Sequence, residues 1–260
     1  MRRAPLAPAL GALASALLAA CGSSTPATPI GPAIAGGGAA GVYAAIGASE
    51  TVGAGIDRND QALRFRDTWP QLFFNQALPR ATTYFNFGMG GITTSQALTA
   101  EIPPALAVHP TVATVWLNVD DLVRGVTAAS YETDLDTLVH DLRQGGSATV
   151  LVANTPWLDH LPAYLACRNP VPGGPACLLG GSVTLPGPDV VNSLVDDYNA
   201  AIARVVRREG AVLVDLHSEG EVVDAHPDWV SGDGFHPSAL GYFEVARLFS
   251  DAYARARAAS

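Results

Sequence analysis

Five short apolar runs recur along the chain, at Val42–Ile46, Thr83–Phe87, Thr111–Leu117, Ala148–Ala153 and Ala211–Leu216, and they carry almost no charge. Strands of this kind are covered on both faces, as in a parallel sheet, whereas a half-solvated antiparallel sheet alternates apolar and polar residues. The segments between them follow a different period. Tyr131, Leu135, Leu138, Val139 and Leu142 fall at i, i+4, i+7, i+8 and i+11, and Val191, Leu194, Val195, Tyr198, Ile202, Val205 and Val206 repeat that stripe. This is the spacing of a helix with one buried face. A last helix is expected to begin near Pro237, a residue suited to a first turn, and to direct Tyr242, Val245, Leu248 and Phe249 inward. Alternating strands and helices predict an α/β fold: a three-layer αβα sandwich around a five-stranded parallel sheet, in one domain.

The N-terminal 40 residues stand outside this pattern. Arg2 and Arg3 precede an alanine-rich apolar run from Leu6 to Ala20, short for a permanent bilayer span, which reads as an export leader. It ends in Leu18-Ala19-Ala20-Cys21, which resembles a bacterial lipobox. The resemblance implies cleavage before Cys21, lipidation there and a membrane tether at the cell envelope; an ordinary secretory signal is the alternative. Residues 1–20 are then a lipoprotein signal peptide, 21–40 a Pro- and Gly-rich flexible tether, and 41–260 the folded domain. Export sets an oxidising compartment, so Cys167 and Cys177 are expected to form a disulfide, with two separate buried thiols as the alternative. The formal charge is −9, and all 15 basic residues are arginine with no basic block among them. Nucleic acid is therefore excluded as the main partner.

In a sheet of this topology the functional residues gather at the carboxyl ends of the strands. The first strand leads into Gly47-Ala48-Ser49-Glu50, the second into Gly88-Met89-Gly90-Gly91, and the third into Asn118-Val119-Asp120-Asp121. Ahead of the last helix comes Asp233-Gly234-Phe235-His236-Pro237. The glycine run lacks the third glycine of a dinucleotide fingerprint, since Thr93 stands there. Together these four segments resemble the SGNH, or GDSL-type, hydrolase family across almost the whole domain. The resemblance implies the flavodoxin-like fold of that family and an esterase or lipase activity. It places Ser49 at the nucleophile, in Gly-Ala-Ser-Glu where the usual motif reads Gly-Asp-Ser-Leu. Asp233 and His236 match its Asp-x-x-His, and Gly91 its oxyanion-hole glycine. In the third block Asp120 stands where the family has an asparagine.

These residue types suit acyl transfer. A neutral serine is a weak nucleophile, so His236 would take its proton while Asp233 orients the ring and stabilises the imidazolium. The N–H groups of Ser49 and Gly91 would meet the charge of the tetrahedral intermediate. An ionised Asp120 would repel that charge. It must be held neutral by burial beside Asp121, or be replaced in the role by Asn118, or leave a slow or silent site. Two functions follow: a serine hydrolase of carboxylic esters, and a silent envelope binding protein on the same fold. The substrate would be a small-molecule or glycan acyl ester; the oligomeric state is unassigned. His109, His140, His160, His217 and His226 lack metal-ligand spacing, so neither metal nor cofactor is expected. Asp224, His226 and Asp228 either flank the active loop or form an acidic surface turn, and Asn199 reads as a buried polar anchor. The long segment from Asn154 to Asp189, with Trp157 and Tyr164, is either a lid or acyl pocket or a surface insertion.

Overall fold

The computed structural model describes residues 41–56, 67–168, 177, 185–218 and 223–259. The expected signal peptide and tether, with the expected lipidation site Cys21, lie outside the described residues. In chain order the elements are β1 (Val42–Gly47), α1 (Trp69–Ala77), β2 (Thr83–Asn86), α2 (Thr94–Ala100), α3 (Ile102–Ala107), β3 (Val112–Trp116), α4 (Val119–Val123) and α5 (Ala128–Arg143). There follow β4 (Thr149–Ala153), α6 (Pro162–Arg168), α7 (Pro188–Glu209), β5 (Val212–Val214) and α8 (Ala239–Ala258). The strands form one sheet in the order β2-β1-β3-β4-β5, every pairing parallel. The strand order reverses between β1 and β3, and the loops that leave those strands are where a ligand crevice opens in such sheets.

Alternate residues of each strand feed two separate cores, because successive side chains point to opposite faces. Ala44, Ile46, Ala113, Val115, Val150 and Val152 pack under α2, α3, α5 and α7. Tyr43, Ala45, Val112, Leu151, Ala153 and Val214 pack under α1 and α8. The expected stripe of α5 is wholly buried, and Tyr131 stacks on Tyr198 of α7 at 4.4 Å. On the other face Trp69 of α1 stacks on Phe249 of α8 at 4.3 Å. The three-layer sandwich is therefore as the sequence predicts.

Four details differ. Leu194 is exposed, since the apolar stripe of α7 is narrower there than the spacing suggests. The second run is an edge strand with Thr83 and Asn86 exposed; pairing on one side only lifts the need for full burial. The last helix starts at Ala239, capped by the Ser238 side chain accepting from Gly241 N–H, while Pro237 pairs with Val230 in an isolated bridge. A serine cap leaves proline to fix the approach to the helix. The insertion after β4 contains the helix α6 rather than loop alone.

Cys167 and Cys177 are joined in a disulfide that closes part of this insertion. Its entry is fastened too. Asn199 of α7 accepts from Thr155 N–H at 2.8 Å and donates to the Thr155 carbonyl at 3.0 Å, which is the anchoring role its place on the stripe suggested. Asn154 donates to Asp215 and accepts from the amides of Leu216 and His217, tying the loop after β4 to the loop after β5.

Candidate active site

Ser49 lies two residues beyond β1, in consecutive turns rather than at the start of a helix. The chain passes here through tight spaces. A Cβ on Gly47 would collide with Thr51 and the Trp116 carbonyl, and one on Gly55 with His236 and Ser231. Only glycine allows this approach of backbone to side chain. Ser49 Oγ lies 3.0 Å from His236 Nε2, across 187 residues of sequence, and His236 Nδ1 lies 2.7 Å from Asp233 Oδ2. The other oxygen, Asp233 Oδ1, accepts from Ser231 Oγ and from the amides of Phe235 and His236. Four donors offset the partial burial of the Asp233 carboxylate and hold it down, at about 2. Asp233 and His236 thus sit on one loop that its own backbone amides keep in shape, and Ala163 N–H of α6 donates to the Gly234 carbonyl beside it.

Gly91 follows β2 with φ of +73°, and its carbonyl accepts from Arg124 at 2.6 Å. The same guanidinium lies 4.0 Å from Asp120, so it joins the second and third motif segments. Burial raises the Asp120 carboxyl above its usual range, although Arg124 and His236 both favour the ionised form. Asp121 is fully buried and accepts from the amide and hydroxyl of Thr94, pinning α4 to α2. Asn118 is enclosed, at 3% exposure, and neither polar atom of its side chain has a partner among the described residues. Of the two residues considered for the oxyanion position, Asp120 is the one whose side chain reaches solvent.

Two carboxyl groups of the site escaped sequence reasoning. Glu50 is 8% exposed, and its Oε2 lies 3.2 Å from Ser49 Oγ, within hydrogen-bond reach. Its only signal was the unusual acid directly after Ser49. Glu101 is fully buried and accepts from Gly47 N–H at 3.0 Å, fixing the end of β1. Its signal lay in Ala97, Glu101 and Ala105 at i, i+4 and i+8, which put an acid on a buried stripe.

Beside Ser49 is a cavity of about 110 Å³ whose wall includes Glu50, Trp116, Trp157, Leu161, Trp229 and Phe235. The start of the insertion, within residues 156–161, thus contributes to the wall of this cavity. Tyr164 instead faces a separate surface hollow with Asp159 and Arg168. His217 stacks on Trp157 and His226 on Trp229, so these histidines buttress the cavity wall. Among the described residues no cluster of His, Cys, Asp or Glu is arranged to hold a metal.

A parallel αβα sandwich with a serine, histidine and aspartate hydrogen-bonded in series at its carboxyl edge is the architecture of a serine hydrolase. The GDSL-like lipase/acylhydrolase family profile matches residues 45–242, and the chain belongs to that family of carboxylic ester hydrolases. Solved structures share the fold at low identity. A lipase/acylhydrolase from Enterococcus faecalis is 20% identical with a TM-score of 0.59, covering 83% of this chain and 96% of its own. The enzyme LAE5 from the Lake Arreo metagenome is 19% identical with a TM-score of 0.59, covering 82% and 95%. An extracellular lipase from Streptomyces rimosus is 18% identical with a TM-score of 0.58, covering 82% and 100%. No curated protein sequence matches the chain.

Proposed function

We propose that the protein hydrolyses acyl esters through a covalent acyl-enzyme on Ser49. The observation that carries this reading is the unbroken series from Ser49 Oγ to His236 at 3.0 Å and from His236 to Asp233 at 2.7 Å. Oγ attacks the ester carbonyl carbon as its proton passes to His236 Nε2, and the ring becomes an imidazolium facing the ionised Asp233. The oxyanion meets the N–H groups of Ser49 and Gly91 and the Asp120 carboxyl. Burial raises the Asp120 carboxyl while Arg124 and His236 draw it down, and in its neutral form this carboxyl donates where the family has an asparagine. Collapse of the intermediate breaks the bond to the leaving alkoxide, which takes the proton back from His236. Water, deprotonated by the same ring, then releases the acid and restores the Ser49 hydroxyl.

The envelope assignment belongs to the same proposal. The apolar leader, the Cys21 motif and the Pro- and Gly-rich linker support an esterase exported across the membrane and acting on exogenous or cell-surface esters. Hydrolysis of p-nitrophenyl butyrate by the purified chain, lost in Ser49→Ala with the fold intact by circular dichroism, is the expected result. Equal hydrolysis by the variant would refute the role of Ser49.

A further inference from the structure

The cavity next to Ser49 is almost entirely hydrocarbon except at the point nearest the nucleophile. There Glu50 presents a carboxyl group; among the described residues of the wall the other ionisable group is Glu244, which pairs with Arg247, and no arginine or histidine lines it. Resting on the serine-esterase reading, we propose that this cavity selects esters bearing an ammonium group, quaternary above all, held by the Glu50 carboxylate and the surrounding aromatic rings.

Three observations carry this assignment. The Glu50 carboxyl is over nine-tenths buried and lies 3.2 Å from Ser49 Oγ, whose single hydrogen serves His236 in the series Ser49–His236–Asp233. A purely apolar substrate leaves this enclosed carboxylate without an opposite charge, whereas a cation in the cavity supplies one. The wall also contains Trp116, Trp157, Trp229 and Phe235, rings of the kind whose faces attract alkylammonium groups. Finally, the whole chain carries −9, which favours approach of cations over anions. Burial pushes the Glu50 carboxyl upward, its own backbone amide and His236 draw it down, and Asp120 pushes it up again. A bound cation shifts that balance toward the carboxylate.

The ammonium group can belong to the alcohol or to the acyl part, and two pairs of carbon isosteres separate these cases. The purified full chain is assayed with butyrylcholine against 3,3-dimethylbutyl butyrate, and with methyl 4-(trimethylammonio)butanoate against methyl 5,5-dimethylhexanoate. In at least one pair kcat/KM for the cation exceeds that for its neutral isostere by about tenfold or more. Glu50→Gln brings that ratio to within about threefold of unity, whatever its effect on absolute rate. Equal rates within both pairs, or a preference that survives Glu50→Gln, would overturn the proposal. If none of the esters, nor p-nitrophenyl butyrate, is cleaved, the esterase reading fails and the cavity is tested by binding alone. Three of the four tryptophans line it, so tetramethylammonium chloride is titrated against their fluorescence with sodium chloride as control. Saturation specific to tetramethylammonium and lost in Glu50→Gln supports the site, and its absence overturns it.

Discussion

Replacing Glu101 with glutamine tests whether a buried acid beneath the catalytic turn ties stability to pH. The Glu101 side chain is fully buried and accepts from Gly47 N–H at 3.0 Å, and its other oxygen, Oε1, has no hydrogen-bond partner within 3.5 Å among the described residues. Burial lifts its pKa from 4.5 to about 8, while the amides of Gly47 and Met89 pull in the opposite direction. A carboxyl raised in this way holds its proton more tightly when folded than when unfolded. Its contribution is complete below pH 4.5 and is lost as pH climbs to about 8. At about 1.4 kcal/mol per pH unit, the loss across that window is about 4–5 kcal/mol, a large share of a domain's stability. Glutamine keeps the acceptor for Gly47 and cannot titrate. Urea unfolding followed by circular dichroism at intervals from pH 5 to 8 gives both slopes. The wild type should lose stability at about 1 kcal/mol per unit or more through the upper part of the range, and Glu101→Gln should remove most of that slope. The variant's baseline is lower because a buried amide NH₂ gains no acceptor, so the slope is the readout. Parallel pH profiles for the two proteins would refute the reasoning.

Asp233→Asn leaves the ring of His236 without its anionic partner and is expected to lower kcat by on the order of 10⁴, with the fold unchanged by circular dichroism. Asp120→Ala removes an oxyanion donor and should cost about 10²–10³ in kcat, while Asp120→Asn stays within about tenfold of wild type and abolishes any loss of rate caused by ionisation of Asp120 at alkaline pH; pH–rate profiles of the three proteins check this. Cys167→Ser opens the disulfide-closed segment and should lower unfolding free energy by about 2–3 kcal/mol, read as a shift in urea midpoint that reductant reproduces in the wild type.

The sheet and its helices were legible because burial on both faces leaves a period in the sequence. Val150, Leu151 and Val152 are apolar on adjacent positions, and Tyr131 to Leu142 recur at helical spacing, for that reason alone. Edges escape the same logic. Nothing in Thr83–Asn86 distinguishes an outer strand from an inner one, since the difference lies in a neighbour that is absent on one side. Ser49, Asp233 and His236 came from the resemblance of their segments to the SGNH motifs, in which Asp-x-x-His supplies acid and base from one loop. The oxyanion side did not follow as readily. Whether Asp120 or Asn118 faces solvent depends on how α4 leaves β3, and sequence spacing does not encode that turn. Glu101 and Glu50 illustrate the opposite limit: a buried carboxyl looks like any surface acid until the fold encloses it. The aromatic cavity is composed of residues far apart in sequence, from Trp116 to Trp229, and becomes a unit only when the loops after β3, β4 and β5 converge.

The central claim is that Ser49 is a nucleophile activated by His236. It is tested most directly by treating the purified chain with a p-nitrophenyl alkylphosphonate and mapping the adduct by peptide mass spectrometry. A single phosphonyl group on Ser49, gained in step with loss of esterase activity and sharply slowed in His236→Ala, is the predicted result. An unmodified Ser49 in an inactivated protein, or full labelling at wild-type rate without His236, would contradict it.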